Sequence, residues 1–257
     1  MRILVSNDDG ITHPGIAALR SAVLKFGETF VVAPSSPQSA SGHGITVHGP
    51  LMVRRMQVRD EFSGISVEGR PADCVRLAVR KLLDDPPDLV VSGINDGANV
   101  GINVFYSGTV AAAAEAAMLG IPAVAFSLSM AGSNDDYLQA ADLCQLVLEN
   151  LIKDGLGKGD LLNVNIPPIA KGKPKGLLVV PQSTAGITDA YLGAVDANGM
   201  EQYRLGGEYT FHFQDDSDVL GLAEGYITVT PLHIDMTNHD RLIALRLKKW
   251  DYPGETV

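Results

Sequence analysis

Asp8 and Asp9 stand side by side after the apolar run Ile3-Leu4-Val5, and Gly10 closes the turn behind them. Adjacent carboxylates at the end of a buried strand repel each other and resist desolvation. A bound cation offsets both costs, and carboxylate, hydroxyl and amide oxygens suit a hard ion such as Mg²⁺ or Mn²⁺. Ser39 and Asn95 lie in two other polar turns and can supply neutral oxygens of that kind. A plainer role is open to the same acids, capping their own turn and the helix after it.

Ser107-Gly108-Thr109 is a second segment with chemistry in it. It precedes an alanine-rich helix, and a helix N-terminus offers unpaired N–H groups and partial positive charge to an anion. Gly108 lets a phosphate approach the backbone, although Ser107 or Thr109 could equally be an ordinary cap. A metal site and an anion site in one chain point to phosphoryl chemistry more strongly than either alone.

The elements that must position these groups alternate between strand and helix. Residues 2–6 read as a buried strand, and Thr12 is expected to cap a helix with Pro14 in its first turn. Residues 30–34 form the next strand, and a polar loop runs from Ser35 to Gly44. Stretches near 45–54 and 64–68 are β-like, and Pro71 starts a helix carrying Val75, Val79 and Leu82 on one face. Strands follow at 88–92, 123–128 and near 161–166, separated by helices over 107–119 and about 134–152. This alternation predicts parallel pairing with helical crossovers. In such a sheet ligands bind beyond the carboxyl ends of the strands. The turns at 7–10, 35–44 and 93–101 share that edge with the helix start at 107–109.

After about residue 170 the rhythm changes. An exposed connector at 171–176 leads to β-rich pieces near 177–181, 200–213 and 226–230, with a hairpin turn at Asp196-Ala197-Asn198-Gly199. The expected division is a catalytic core over 1–175 and a hairpin-containing extension over 176–257. That extension is too thin for a core of its own, which a hairpin packing on another subunit would explain.

Composition narrows the function. A 257-residue chain with 46% hydrophobic residues can bury a sizeable core. A net charge of −10 makes nucleic-acid polymers poor partners, but leaves a small phosphorylated substrate open if a metal reverses the sign locally. Cys74 and Cys144 have neither metal-ligand spacing nor a disulfide framework, and are expected as reduced core thiols. No apolar run reaches about 18 residues and no signal peptide is evident, so the expected compartment is the cytoplasm, with no membrane partner. The Walker motif, the dinucleotide-binding glycine fingerprint after the first strand and the Gly-x-Ser-x-Gly elbow are all missing. No His-x-x-x-His pair occurs; His43, His48 and His239 are loop residues, more often simply solvated.

Taken in order, several blocks resemble the SurE family of stationary-phase survival proteins, which act as 5′(3′)-nucleotidases. They are Ile3 to Gly10, Ala33-Pro34 with Ser39 to Gly42, Gly69 to Val75, Ser92 to Asn99, Tyr106 to Ala113, and Thr230-Pro231-Leu232. The resemblance spans essentially the whole chain. It implies a Rossmann-like α/β fold, with a mostly parallel sheet flanked by helices. It also implies dimers or tetramers that exchange C-terminal elements. One divalent metal per subunit, Mg²⁺ or Mn²⁺, would be held by Asp8, Asp9, Ser39 and Asn95. The phosphate site would be lined by Asn99, Ser107, Gly108 and Thr109, with Ser39 beside it. The family's late Asp and His match Asp235 and His239. The loop continuing as Gly42-His43-Gly44 departs from many relatives, which makes His43 a candidate for altering substrate preference.

The expected reaction is hydrolysis of nucleoside 5′- and 3′-monophosphates, with Asp8, Asp9 and Asn95 as the catalytic residues. The metal activates a water, Asp8 or Asp9 orients or deprotonates it, and the 107–109 N–H groups with the amide of Asn95 or Asn99 stabilise the phosphoryl oxygens. A covalent aspartyl-phosphate is the competing route. Two rival functions use the same sheet edge: a metal-free nucleotide-binding regulator and an α/β glycosyltransferase.

Overall fold

The computed structural model describes residues 1–248 and 250. In chain order the elements are β1 (Arg2–Ser6), α1 (Pro14–Val23), β2 (Glu28–Pro34), β3 (Met52–Val58), β4 (Phe62–Glu68), α2 (Pro71–Leu77), β5 (Leu89–Asp96) and α3 (Gly108–Met118). They continue as β6 (Ala123–Leu128), α4 (Asn134–Asp154), β7 (Leu161–Ile166), β8 (Leu177–Val179), β9 (Ile187–Val195), β10 (Glu201–Phe211), α5 (Asp218–Ala223), β11 (Ile227–Leu232) and α6 (His239–Arg246).

Nine strands form one sheet in the order β3-β4-β2-β1-β5-β6-β7-β11-β8. Pairing is parallel from β4 through β7, while β3 on β4 and β11 on β7 are antiparallel. The fold is therefore α/β with a mostly parallel sheet, as the alternation of elements predicts. The extension beyond 176 gives β8 and β11 to this sheet. Only β9 and β10 stand apart, as a two-stranded hairpin turned at residues 196–200. The last residues of the 176–257 segment lie outside the described ones.

Strand alternation sorts the core into two layers. Ile3 and Val5 of β1 and Leu89 and Val91 of β5 pack with α1 and α4. Leu4, Val90 and Ala125 face the other way, toward α2 and α3. All six alanines of α3 are buried, which lets that helix lie close on the sheet. Near the carboxyl ends the face under α3 turns polar: Ser6, Ser92, Ser127, Asn163 and Asn165 are all fully buried there. Cys74 and Cys144 are free and buried in opposite layers, and burial pushes both thiols to a higher pKa. Among the described residues no helix is long and apolar enough to cross a membrane.

Two local expectations need correction. His13, not Thr12, caps α1: its backbone is extended and its Nδ1 accepts the Gly15 N–H at 3.1 Å. The residue before a proline is pushed out of the helical region, so the cap falls at His13. The helix at Pro71 is regular only to Leu77 and then widens into a π turn over residues 78–82.

Candidate active site

The first turn is built by β1. Asn7 is fully buried and its side-chain N–H donates to the Gly10 carbonyl at 3.0 Å, locking the turn that carries the two acids. Asp8 is 5% exposed; Asp9 is half-buried. The 35–44 loop is tied to this turn through Gln38 N–H to Asp8 C=O at 2.7 Å. β5 delivers Asn95 and Asp96 from the neighbouring strand, and the Asp96 N–H lies 3.4 Å from Asp9 Oδ2. α3 then aims its N-terminus at Asp8. The Thr109 hydroxyl donates to Asp8 Oδ1, and the Thr109 backbone N–H adds to the stabilisation of that carboxylate.

Gly108 is what permits this approach. A Cβ there would stand 2.7 Å from the Cβ of Asp8 and 2.9 Å from Ser41 Oγ, closer than packed carbon atoms come. Ser107 caps the helix in the ordinary way, its Oγ accepting the Val110 N–H at 3.1 Å. The cap reading of Ser107 therefore holds, with Ser107 also on the cleft wall and the buried Thr109 against Asp8.

Asp8, Asp9, Ser39, Asn95, Asn99 and Ser107 line one cleft of about 440 Å³. Its remaining walls include Asp96, Asp189 and the aromatic rings of Tyr106 and Tyr191, and neither Lys nor Arg is among them. Burial raises the Asp8 carboxyl to about 6, with the charge of Asp9 adding to the rise and the Thr109 hydrogen bond opposing it. Burial likewise raises Asp9 to about 6. Asn95 is held by its own amide: Nδ2 donates to the Gly97 carbonyl at 2.7 Å, and Oδ1 lies 3.4 Å from the Thr109 hydroxyl that bonds Asp8. Two destabilised carboxylates, a fixed amide oxygen and a serine hydroxyl fit a hard divalent cation.

Asn99 is clamped from behind. Its N–H donates to Asn165 Oδ1 at 2.8 Å, and its carbonyl accepts from Asn163 Nδ2 at 2.7 Å and Asn165 Nδ2 at 3.2 Å. Its side-chain Nδ2 donates to Ser127 Oγ at 2.8 Å, leaving one amide proton. Asn163 and Asn165 escaped the reading of the sequence. Their signal was two asparagines alternating along an otherwise apolar strand, at positions that must both be buried. His13 also escaped: its Nδ1 is 3.7 Å from Asp9 Oδ2 and its ring meets Tyr137 edge-on, and burial lowers its pKa. The buried Ser41 hydroxyl, beside Gly108, has no partner among the described residues.

Other sequence candidates lie elsewhere. His43 Nε2 meets the buried Glu115 of α3 at 2.9 Å, and Arg76 Nη1 donates to the same carboxylate at 2.7 Å. Burial opposes ionisation of Glu115, but these two partners outweigh it and hold its pKa below the usual range. Asp235 and His239 bond each other at 3.1 Å on the surface and are not in the cleft wall. The Thr237 contacts, helped by His239, hold Asp235 at about 2. His48 is exposed.

A family model described as "Survival protein SurE" matches residues 3–189. The chain is 43% identical over 251 residues to "5′-nucleotidase SurE" of Carboxydothermus hydrogenoformans, covering 96% of this chain and 95% of that one. It is 46% identical over 247 residues to "5′-nucleotidase SurE 1" of Thermus thermophilus, covering 95% and 96%. The crystal structure of the SurE protein from Aquifex aeolicus superposes with a TM-score of 0.82 at 36% identity, covering 96% of this chain and 98% of that one.

Proposed function

The chain belongs to the SurE family, and from that premise we propose that it is a 5′-nucleotidase, a divalent-metal-dependent phosphomonoesterase acting on nucleoside 5′- and 3′-monophosphates. The observation that carries the metal dependence is the charge of the cleft. Four carboxylates line it with no basic side chain, so a phosphate ester meets net repulsion unless a cation intervenes.

Asp8, Asp9, Ser39 and Asn95 would hold one Mg²⁺ or Mn²⁺. Such an ion, when bound, supplies electrophilic stabilisation of the ester oxygens and makes water easier to deprotonate. The protein's own groups do the rest. Asp8 or Asp9 orients the attacking water and takes its proton. Thr109 keeps Asp8 in place through its hydroxyl. Ser107, Thr109 and Val110 use their N–H groups on Asn103 C=O, Asp8 and Ser107 Oγ, so the start of α3 acts through its dipole and the Gly108 N–H, beside the remaining amide proton of Asn99, on charge developing on the phosphoryl oxygens. Ser39 and Ser107 add hydroxyls to the same wall.

The extension over 176–257 takes an oligomerisation role in this reading. The outer half of the β9–β10 hairpin leaves Val195, Met200 and Tyr203 each more than 60% exposed, and a second copy of the chain would cover them. Dimers or tetramers with exchanged C-terminal elements are what the family resemblance implies, and these exposed side chains agree with a subunit contact. The working environment is the cytoplasm, with no polymer or membrane partner.

Phosphate release from a panel of nucleotides, with each metal and after chelation, tests the function. Release that requires metal and returns on its re-addition is expected. Nucleotide binding without release in any metal would mark a regulator instead. Turnover confined to sugar-nucleotide donors would mark a glycosyltransferase.

A further inference from the structure

Glu115 interrupts the alanines of α3 and is 2% exposed. A carboxylate in such a layer is costly unless it is paired, and a buried ion pair by itself contributes little net stability. Its two partners differ in origin. Arg76 comes from α2, which packs on α3, whereas His43 comes from the loop that carries Ser39. Glu115 is ionised, so its oxygens only accept and the His43 Nε2 carries the shared proton.

That loop needs outside support. Ser39 and Ala40 reach the cleft wall, and Ala40 is left-handed with φ 55°, a backbone state that an L residue keeps only where its surroundings impose it. At the near end, Gln38 is tied to the Asp8 carbonyl; at the far end, the Gly42 N–H donates to Tyr106 C=O at 3.0 Å. His43 follows with its contact to Glu115. Beyond it, the Thr46 N–H and hydroxyl donate to the two oxygens of the buried Asp73 of α2, at 2.8 and 2.7 Å.

We propose that His43 and Glu115 are positioning residues for the metal site: their contact fixes the far end of the loop on α3 and so sets where Ser39 stands relative to Asp8 and Asn95. This rests on the reading of Ser39 as a metal ligand. In it α3 reaches the site twice, with Thr109 on Asp8 and, less than two turns later, with Glu115 on the loop. One helix thereby sets both the carboxylate side and the hydroxyl side of the cation. Arg76 neutralises the same carboxylate but belongs to neither the loop nor the cleft wall. It therefore separates the balance of a buried charge from the placement of Ser39.

Calorimetric titration of the metal-free protein with Mn²⁺ tests this in His43→Ala, His43→Gln and Arg76→Met. The His43 and Arg76 side chains are 29% and 52% exposed, so these changes leave the core intact. Glutamine keeps an N–H donor for Glu115. Groups that orient metal ligands typically govern affinity by about 10- to 100-fold, so the Mn²⁺ Kd should rise roughly ten-fold in His43→Ala and stay within about two-fold in the other two. An unchanged Kd in His43→Ala would overturn the proposal. So would an equal rise in Arg76→Met, which would assign the effect to the buried charge, or in His43→Gln. If the wild-type protein bound no Mn²⁺, the metal reading would fail separately. Amide hydrogen exchange at Gln38, Ser41 and Gly42 would then decide the loop: faster exchange in His43→Ala than in the other two variants supports the fastening, and equal exchange overturns it.

Discussion

The Thr109 hydroxyl donates to the buried carboxylate of Asp8, joining the first residue pair of the site to a helix that begins 100 residues later. This bond sets the distance between α3 and β1 at the point where both reach the cleft. Asn95 Oδ1 lies near the same hydroxyl, so one threonine touches two of the proposed metal ligands.

Replacing Thr109 by Val keeps the shape and removes the donor. A hydrogen bond to a charged group contributes about 1.5–3 kcal/mol, so kcat/KM should fall roughly 10- to 100-fold while the circular dichroism spectrum stays native. Thr109→Ser should recover most of the loss. Wild-type turnover in the valine protein would show that Asp8 needs no support from α3.

Gly108→Ala places a methyl group against Asp8 and Ser41. Overpacking of this kind costs about 1–3 kcal/mol. The helix start or the carboxylate must shift, and metal affinity measured by calorimetry should drop at least about ten-fold. An alanine variant with unchanged metal binding would contradict the close approach.

The acid pair also predicts a pH dependence. Burial raises Asp8 and Asp9 to about 6 in the folded, metal-free chain, against an ordinary value of 3.8. Between those values the folded state holds more protons than the unfolded one, so this part of the stability is present below about pH 4 and is lost as pH rises through about 6. In chelated protein, Asp8→Asn should therefore be more stable than wild type by about 2 kcal/mol at pH 7.5. The difference should vanish near pH 4, and the variant should have lost its activity. Urea melts at the two pH values read this directly. A less stable Asp8→Asn protein at pH 7.5 would refute the strain assigned to the pair.

Asn165→Ala leaves the buried N–H of Asn99 without its acceptor and removes one donor from its carbonyl. The expected cost is about 1–3 kcal/mol in stability. A fall in kcat should accompany it, because the 96–101 turn loses its backing. Native activity in a destabilised variant would assign Asn163 and Asn165 to folding alone.

Much of the architecture was legible from local pattern. The alternation of apolar runs with helical periodicity foretold the mostly parallel sheet, because each run must be buried on both faces. Asp8-Asp9 and Ser107-Gly108-Thr109 stood out because their residue types are costly or unusual where they occur. Other features are set by packing at long range. That Asn163 and Asn165 hold Asn99, that Thr109 meets Asp8, and that a late hairpin walls the cleft beside Tyr106 all depend on residues distant in the chain. Such contacts depend on which strands become neighbours and how the hairpin folds back, and no window of sequence contains both partners. The residue types and the class of fold were therefore written in the chain itself, while the depth of the acids, the partners that clamp them and the aromatic wall of the cleft were decided only by the assembled sheet.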